Sequence, residues 1–231
     1  MTIASDEVLF TLRLDGGSNT ERLSDRALDR LRTLIVTLEL EPGSLIDEAS
    51  LSRQMRCGHT PLREAIYRLA EERMLVILPH RAVAVAPITI SDLQQIYEAR
   101  TYLECTAVRL AAQRITASQL APLEERVQRL LTLSESSDAI DFCRRAACHF
   151  EFHYLLAKAS GNQYLCDSIR RILPTSMRLD FVAFRRAALG TERAKNHAAI
   201  VEALRIRDAD AADLAVRSHI AAARAKVLSL L

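Results

Sequence analysis

The sequence predicts a mainly α-helical protein, with an N-terminal winged helix-turn-helix followed by a six-helix antiparallel bundle. Three observations carry that expectation. Only six of the 231 residues are glycine and 5% are aromatic, while alanine and leucine are plentiful. Such a composition suits helices and disfavours a β-sandwich or a glycine-rich nucleotide fold. Between residues 21 and 86 the local signals run helix, helix, turn, helix, hairpin. From residue 91 onward, apolar positions keep the 3/4 spacing of buried helix faces almost without interruption.

The elements follow in order. Residues 1–20 mix polar and apolar positions and end in Gly16-Gly17-Ser18-Asn19, which reads as a flexible arm. A helix is expected over about 24–40, with Ser24 as its N-cap candidate and Ala27, Leu28, Leu31, Leu34, Ile35 and Leu38 on one face. Pro42-Gly43 stops it. A short helix covers 48–55, and the chain turns at Arg56-Cys57-Gly58. A third helix covers 60–73, with Pro61 in its favoured first position. Residues 74–78 and 83–85 read as two strands around Pro79-His80-Arg81-Ala82. Residues 87–90 are expected to form a linker between the 21–86 winged helix-turn-helix unit and the 91–231 bundle. Six helices are expected in the bundle, over about 91–115, 117–134, 138–159, 162–188, 191–206 and 209–230, with a kink at Pro174.

Composition also excludes several classes. Apolar residues are 49% and charged residues 26%, which is ordinary for a folded domain. No run approaches the roughly 18 to 20 apolar residues of a membrane span, and the N-terminus carries acids where a signal peptide carries bases. A cytoplasmic chain with no membrane partner is therefore expected. The five cysteines form no CxxC pair and are odd in number, which points to reduced thiols rather than a disulfide framework. The net charge of +2 does not by itself suggest a nucleic-acid partner, but its distribution does. From Arg53 to Arg81 there are six arginines against three acids.

In the third helix, Leu62, Ala65, Ile66 and Leu69 point inward. His59, Thr60, Arg63 and Tyr67 lie on or beside the opposite face near its start. In a helix-turn-helix these are the positions that reach base edges, and Arg is the usual reader of guanine O6 and N7. The helix N-terminus and the Thr60 hydroxyl suit a phosphate. Arg53, His80 and Arg81 complete the expected DNA-contacting set. A solvated charged helix is the competing explanation, and the full order with its basic wing weighs against it.

Histidine is scarce, with six in the chain, and four of the six fall in the bundle. His149 and His153 stand at i, i+4 on one helix face, the spacing of two ligands to one metal. His197 and His219 lie equally far from the expected turn near Asp208, so an antiparallel hairpin sets them side by side. Glu151 points away from that face, so the stretch is not a metalloprotease HExxH. Four unrelated helical histidines would give the same spacings. Arg100 falls within the apolar stripe of the 91–115 helix. It either pairs internally with Glu104 one turn on or holds a ligand carboxylate.

A resemblance bears on these alternatives. Glu41-Pro42-Gly43-Ser44-Leu45-Ile46-Asp47-Glu48, Thr60-Pro61-Leu62-Arg63-Glu64-Ala65-Ile66, Leu69 and Val76-Ile77 resemble the DNA-binding domain of GntR-family transcriptional regulators. That pattern runs PGxxLxE…LxVSRTPVREALxRLxxxGLV and is followed by a wing glycine. The arginine at the turn and the arginine of the VRE stretch contact DNA in that family; Arg63 matches the second, and Thr60 matches the adjacent Thr. Gly58-His59 stands where Ser-Arg is usual, Arg73-Met74 where Gly-Leu is common, and Ala82 at the wing glycine. The remainder resembles the FCD ligand-binding domain of the FadR subfamily, VanR-like group. Its signature stretches here are Asp92-Leu93…Glu98-Ala99-Arg100…Leu103-Glu104, Phe152-His153-Tyr154-Leu155-Leu156…Ala159-Ser160-Gly161-Asn162, Asn196-His197-Ala198-Ala199-Ile200 with Asp208, and Arg217-Ser218-His219-Ile220.

That resemblance implies a homodimeric repressor that binds palindromic operator DNA and carries a divalent metal and a small carboxylate effector in its bundle. Three metal-binding histidines of the family match His153, His197 and His219, and the family aspartate position is His149. Arg100 matches an arginine that contacts effectors. An all-imidazole site keeps the full +2 charge of the ion and favours zinc, with nickel or cobalt as alternatives. Direct metal sensing without an organic effector is the alternative function. A metal-dependent hydrolase lacks a placed acid or base, so no enzymatic activity is expected.

Overall fold

The structure, a computed structural model, describes residues 22–133, 139–186 and 192–230. The expected arm over 1–20 lies outside them. The chain divides into two compact units, one ending at Thr89 and the other beginning at Ile90.

In the first unit, α1 (Leu23–Val36), α2 (Glu48–Met55) and α3 (His59–Glu71) precede a two-stranded wing. The buried stripes of α1 and α3 face each other. Two ion pairs tie the same helices together. Arg32 reaches Glu72 at 2.9 Å, and Arg68 reaches Asp25 at 2.7 Å. Strands β1 (Leu75–Ile77) and β2 (Val83–Val85) pair antiparallel, Leu75 opposite Val85. The Pro42-Gly43-Ser44-Leu45 segment adds to this sheet. Gly43 N–H donates to Val85 O, Ile46 N–H to Val83 O, and Leu45 bridges Ala84. Gly43 sits at φ +80, where a side chain would be strained, so glycine is required at this turn.

Several boundaries differ from expectation. Helix α1 starts earlier and ends earlier: its N-cap is Arg22, so Ser24 lies inside the first turn. At its far end Leu38 turns left-handed (φ 62), and Leu40 N–H bonds back to Leu34 O. Helix α3 is capped by Gly58 and includes His59, so Pro61 lies in the first turn but not in the first position. In the wing, the left-handed residues of a 3-10 turn are His80 and Arg81, at φ 60 and 64. Ala82 is extended and can replace glycine without strain.

The second unit is a bundle of α4 (Ile90–Arg114), α5 (Ala117–Thr132), α6 (Ala139–Ala159), α7 (Gln163–Arg186), α8 (Glu192–Arg205) and α9 (Ala209–Leu228). Helix α4 packs against α6, α7 and α9, and α8 packs against α5 and α9. Helix α7 continues through Pro174. Corners are closed by side chains. Asn162 Oδ1 accepts from Tyr164 and Leu165 N–H, and Asp208 Oδ1 accepts from Asp210 and Ala211 N–H. Arg114 donates to Ser160 O, and Arg207 to Gln113 and Ile115 O, pinning two corners to the end of α4. The core includes Leu93, Tyr97, Val108, Phe150, Phe152, Leu173, Leu204 and Val216.

Candidate functional site

The bundle buries four histidines close together. Helix α6 supplies His149 and His153, α8 supplies His197, and α9 supplies His219. All four are buried, and one ring nitrogen of each lies within 4.8 Å of the others. The α8–α9 hairpin turns at Asp208, and the His197 and His219 rings sit 4.3 Å apart. His149 and His153, one turn apart on α6, have ring centroids 4.5 Å apart.

Three of the nitrogens form a tight triangle. His149 Nε2 is 3.1 Å from His153 Nε2 and 3.3 Å from His219 Nε2, and the last two are 3.2 Å apart. A ring nitrogen offers one in-plane position, either a lone pair or a proton, so three of them cannot satisfy one another around a triangle. A cation at the centre satisfies all three lone pairs at once. Tetrahedral zinc with bonds of 2.0 to 2.1 Å sets its nitrogen ligands about 3.3 Å apart, close to the spacing seen here. The His197 ring completes the surround, 4.9 Å from His149, and is held edge-on against Phe152 at 4.6 Å. The donor set thus fits a zinc-like ion. The nearest thiol in sequence does not join it. Cys148 Sγ donates to Arg126 O, and burial pushes its pKa up to about 11.

Arg100 on α4 is 1% exposed. Its Nε donates to Glu104 Oε1 at 2.7 Å and its Nη1 to Ser176 Oγ at 2.7 Å. The internal pair with Glu104 is therefore formed. Nη2 is buried and has no hydrogen-bond partner among the described residues. Burial opposes the charges of both members. Their mutual attraction still raises the Arg100 pKa and, with His153, lowers that of Glu104. The other face of Glu104 was not foreseen from the sequence: its Oε2 lies 2.6 Å from His153 Nδ1.

In the first unit, His59, Thr60 and Tyr67 are exposed on α3, Arg53 is exposed at the end of α2, and His80 and Arg81 are exposed at the wing tip. Arg63 is half-buried beside them. Arg53, Arg63 and Arg81 make no ion pair among the described residues, whereas Arg68 is bound to Asp25. Arg56, at the α2 C-cap with φ 50, is a further exposed cation of this surface, and the sequence marked it only as part of the turn.

Comparison with known proteins supplies the family. Residues 95–222 match the FCD domain family, and residues 23–85 match the bacterial regulatory proteins of the gntR family. The chain belongs to the GntR family. It is a transcriptional regulator with an FCD domain. It is 28% identical over 201 residues to the transcriptional repressor RspR of Escherichia coli K12, covering 87% of each chain. It is also 30% identical to an uncharacterized regulator in the TAR-I ttuE-ttuC' intergenic region of Agrobacterium vitis, over 67% of this chain and 90% of that one. The solved structure of E. coli McbR/YncC shares the fold, with a TM-score of 0.81 at 22% identity over 91% of this chain and 99% of that one. These relatives are transcription regulators and not enzymes. GntR-family regulators bind operator DNA. No helix among the described residues is long and apolar enough to cross a membrane.

Proposed function

We propose that this GntR-family regulator is a homodimeric repressor of a palindromic operator, and that a divalent metal held by its bundle is part of the site for a small carboxylate effector. The observation that carries the metal reading is the buried triangle of Nε2 atoms from His149, His153 and His219, with the His197 ring beside it. These four residues would hold the ion, and zinc suits an all-nitrogen tetrahedral set best, with nickel and cobalt next. Four neutral ligands leave the full +2 charge of the ion, which supplies an attraction for anions. Arg100 would add a second anchor for the effector carboxylate through Nη2, which is buried and has no other hydrogen bond among the described residues. RspR, similar along 87% of this chain, bears the name of a repressor, which supports repression.

On the DNA side, Arg63 would read a guanine edge, with His59, Thr60 and Tyr67 beside it. Arg53, His80 and Arg81 would contact backbone or minor groove. An effector can alter operator affinity only by binding one conformation of the regulator better than another. Operator DNA from the gene's own promoter region, titrated with the metal-loaded chain, should lose affinity when a matching organic acid is added. Affinity indifferent to organic-acid mixtures and to chelator alike sinks the proposal.

One observation favours a second reading. Arg100 is already held by Glu104 and Ser176, which would suffice for a purely structural cation. Metal occupancy would then be the signal itself. A graded response of operator binding to buffered free zinc, with no organic acid present, selects that reading.

A further inference from the structure

Glu104 touches two things at once. One carboxylate oxygen takes the Nε–H of Arg100 at 2.7 Å, and the other lies 2.6 Å from Nδ1 of His153. Arg100 is fixed in turn by Ser176 of α7. At that distance a bare carboxylate oxygen and a bare ring nitrogen, both acceptors, would repel, so the contact calls for the His153 proton on Nδ1, although the two atoms are not aligned as a hydrogen bond. A neutral imidazole carries one ring proton. With that proton at Nδ1, the lone pair is left on Nε2, and His153 Nε2 is the atom that faces His149 and His219. A counter-ion for Arg100 alone would need only one of the two oxygens.

We infer that Glu104 is a positioning residue for the metal centre: it holds His153 in the Nδ1–H tautomer and at the ring angle that aims Nε2 at the other imidazoles. The inference rests on the metal reading above. Carboxylates that accept the second ring proton of a metal-binding histidine typically change metal affinity ten- to a hundredfold when removed. Glu104 stands one turn beyond Arg100 on α4, so the residue that aims a metal ligand also fixes the cation proposed to hold the effector. Metal and anion sites are thereby linked through one chain of polar contacts running from Ser176 of α7 through Arg100 and Glu104 of α4 to His153 of α6.

Removing Glu104 alone would strand the Arg100 charge in the core, so both partners are replaced together. Arg100→Met/Glu104→Leu leaves His153 Nδ1 without an acceptor, whereas Arg100→Met/Glu104→Gln keeps an amide oxygen there. Two readouts are taken: the zinc dissociation constant by competition with a chromophoric chelator, and histidine tautomers from long-range 1H–15N spectra of metal-free protein. The leucine variant should bind zinc about ten- to a hundredfold more weakly and populate Nε2–H at His153. The glutamine variant should recover most of both. The inference is overturned if the leucine variant keeps wild-type zinc affinity and the Nδ1–H signal, or if glutamine recovers neither. Should the leucine variant not fold, the wild-type spectrum decides, since an Nε2–H His153 in metal-free protein also overturns it. A wild-type chain that binds no zinc, yet shows Nδ1–H at His153 that the leucine variant loses, would remove the metal reading and leave the hold of Glu104 on the ring.

Discussion

The two units handle polar groups in opposite ways. In the first, the buried polar side chains close on local partners: Arg32 on Asp29 and Glu72, Thr33 on Asp29 O, and Thr37 on Thr33 O. The cations Arg53 and Arg81, by contrast, face solvent. In the second, four imidazoles, an arginine and a glutamate are gathered in the core, and three imidazole nitrogens stand 3.1 to 3.3 Å from one another. The first unit has its functional groups outside and a self-contained core. The second puts them inside, where a small charged ligand can complete them.

That contrast sets the expected sizes of perturbation. The largest belongs to the bundle. His153→Ala or His219→Ala, each removing one corner of the triangle, should weaken zinc binding by roughly a hundredfold or more, beyond the effect of outer partners. Operator binding by the metal-free variant should stay at the metal-free wild-type level, and isothermal titration with anisotropy on the same samples checks both. Next, zinc at a hundred times its dissociation constant should stabilise the chain by about 2.7 kcal/mol. Calorimetry should place that gain in the transition of the bundle and leave the winged unit unmoved; equal shifts in both would blur the contrast.

Perturbing the first unit should give smaller, externally expressed effects. Arg63→Ala should cost about 1 to 3 kcal/mol of operator affinity and relax base preference at one position in each half-site, with zinc affinity unchanged. Arg81→Ala should weaken binding to all sequences alike and reduce the slope of log affinity against log salt by about one. A change in base preference from Arg81→Ala, or a uniform loss from Arg63→Ala, would exchange the two assignments. Asp47→Ala removes the acceptor for Ala49 and Ser50 N–H at the start of α2, with an expected loss of about 1 kcal/mol in chemical denaturation of the first unit.

Sequence information was uneven across these features. The helices of both units were legible because periodicity is a local property, and α2 fell on its expected bounds. The end of α1 was not, because it depends on left-handed Leu38 and a bond from Leu40 back to Leu34. Ala82 looked like a lost wing glycine. The turn moves its positive φ angles onto His80 and Arg81, which no residue pattern announces. Spacing paired the histidines two by two, through i, i+4 on one helix and equal distance from a hairpin turn on two others, and the family resemblance, not spacing, put the two pairs at one site. Glu104 was visible as the neighbour of Arg100, one turn away, and as part of a family signature stretch, but not as a partner of His153. Its second contact crosses from α4 to α6, and packing of helices distant in sequence leaves no trace in spacing.

The central claim is that the bundle core is a metal centre built from four imidazoles. X-ray absorption at the zinc edge, on the full chain loaded with one equivalent and dialysed, tests it most directly. The expected result is one retained ion with a first shell dominated by nitrogen at about 2.0 to 2.1 Å. Loss of the ion on dialysis, or a first shell of oxygen or sulfur, would contradict it.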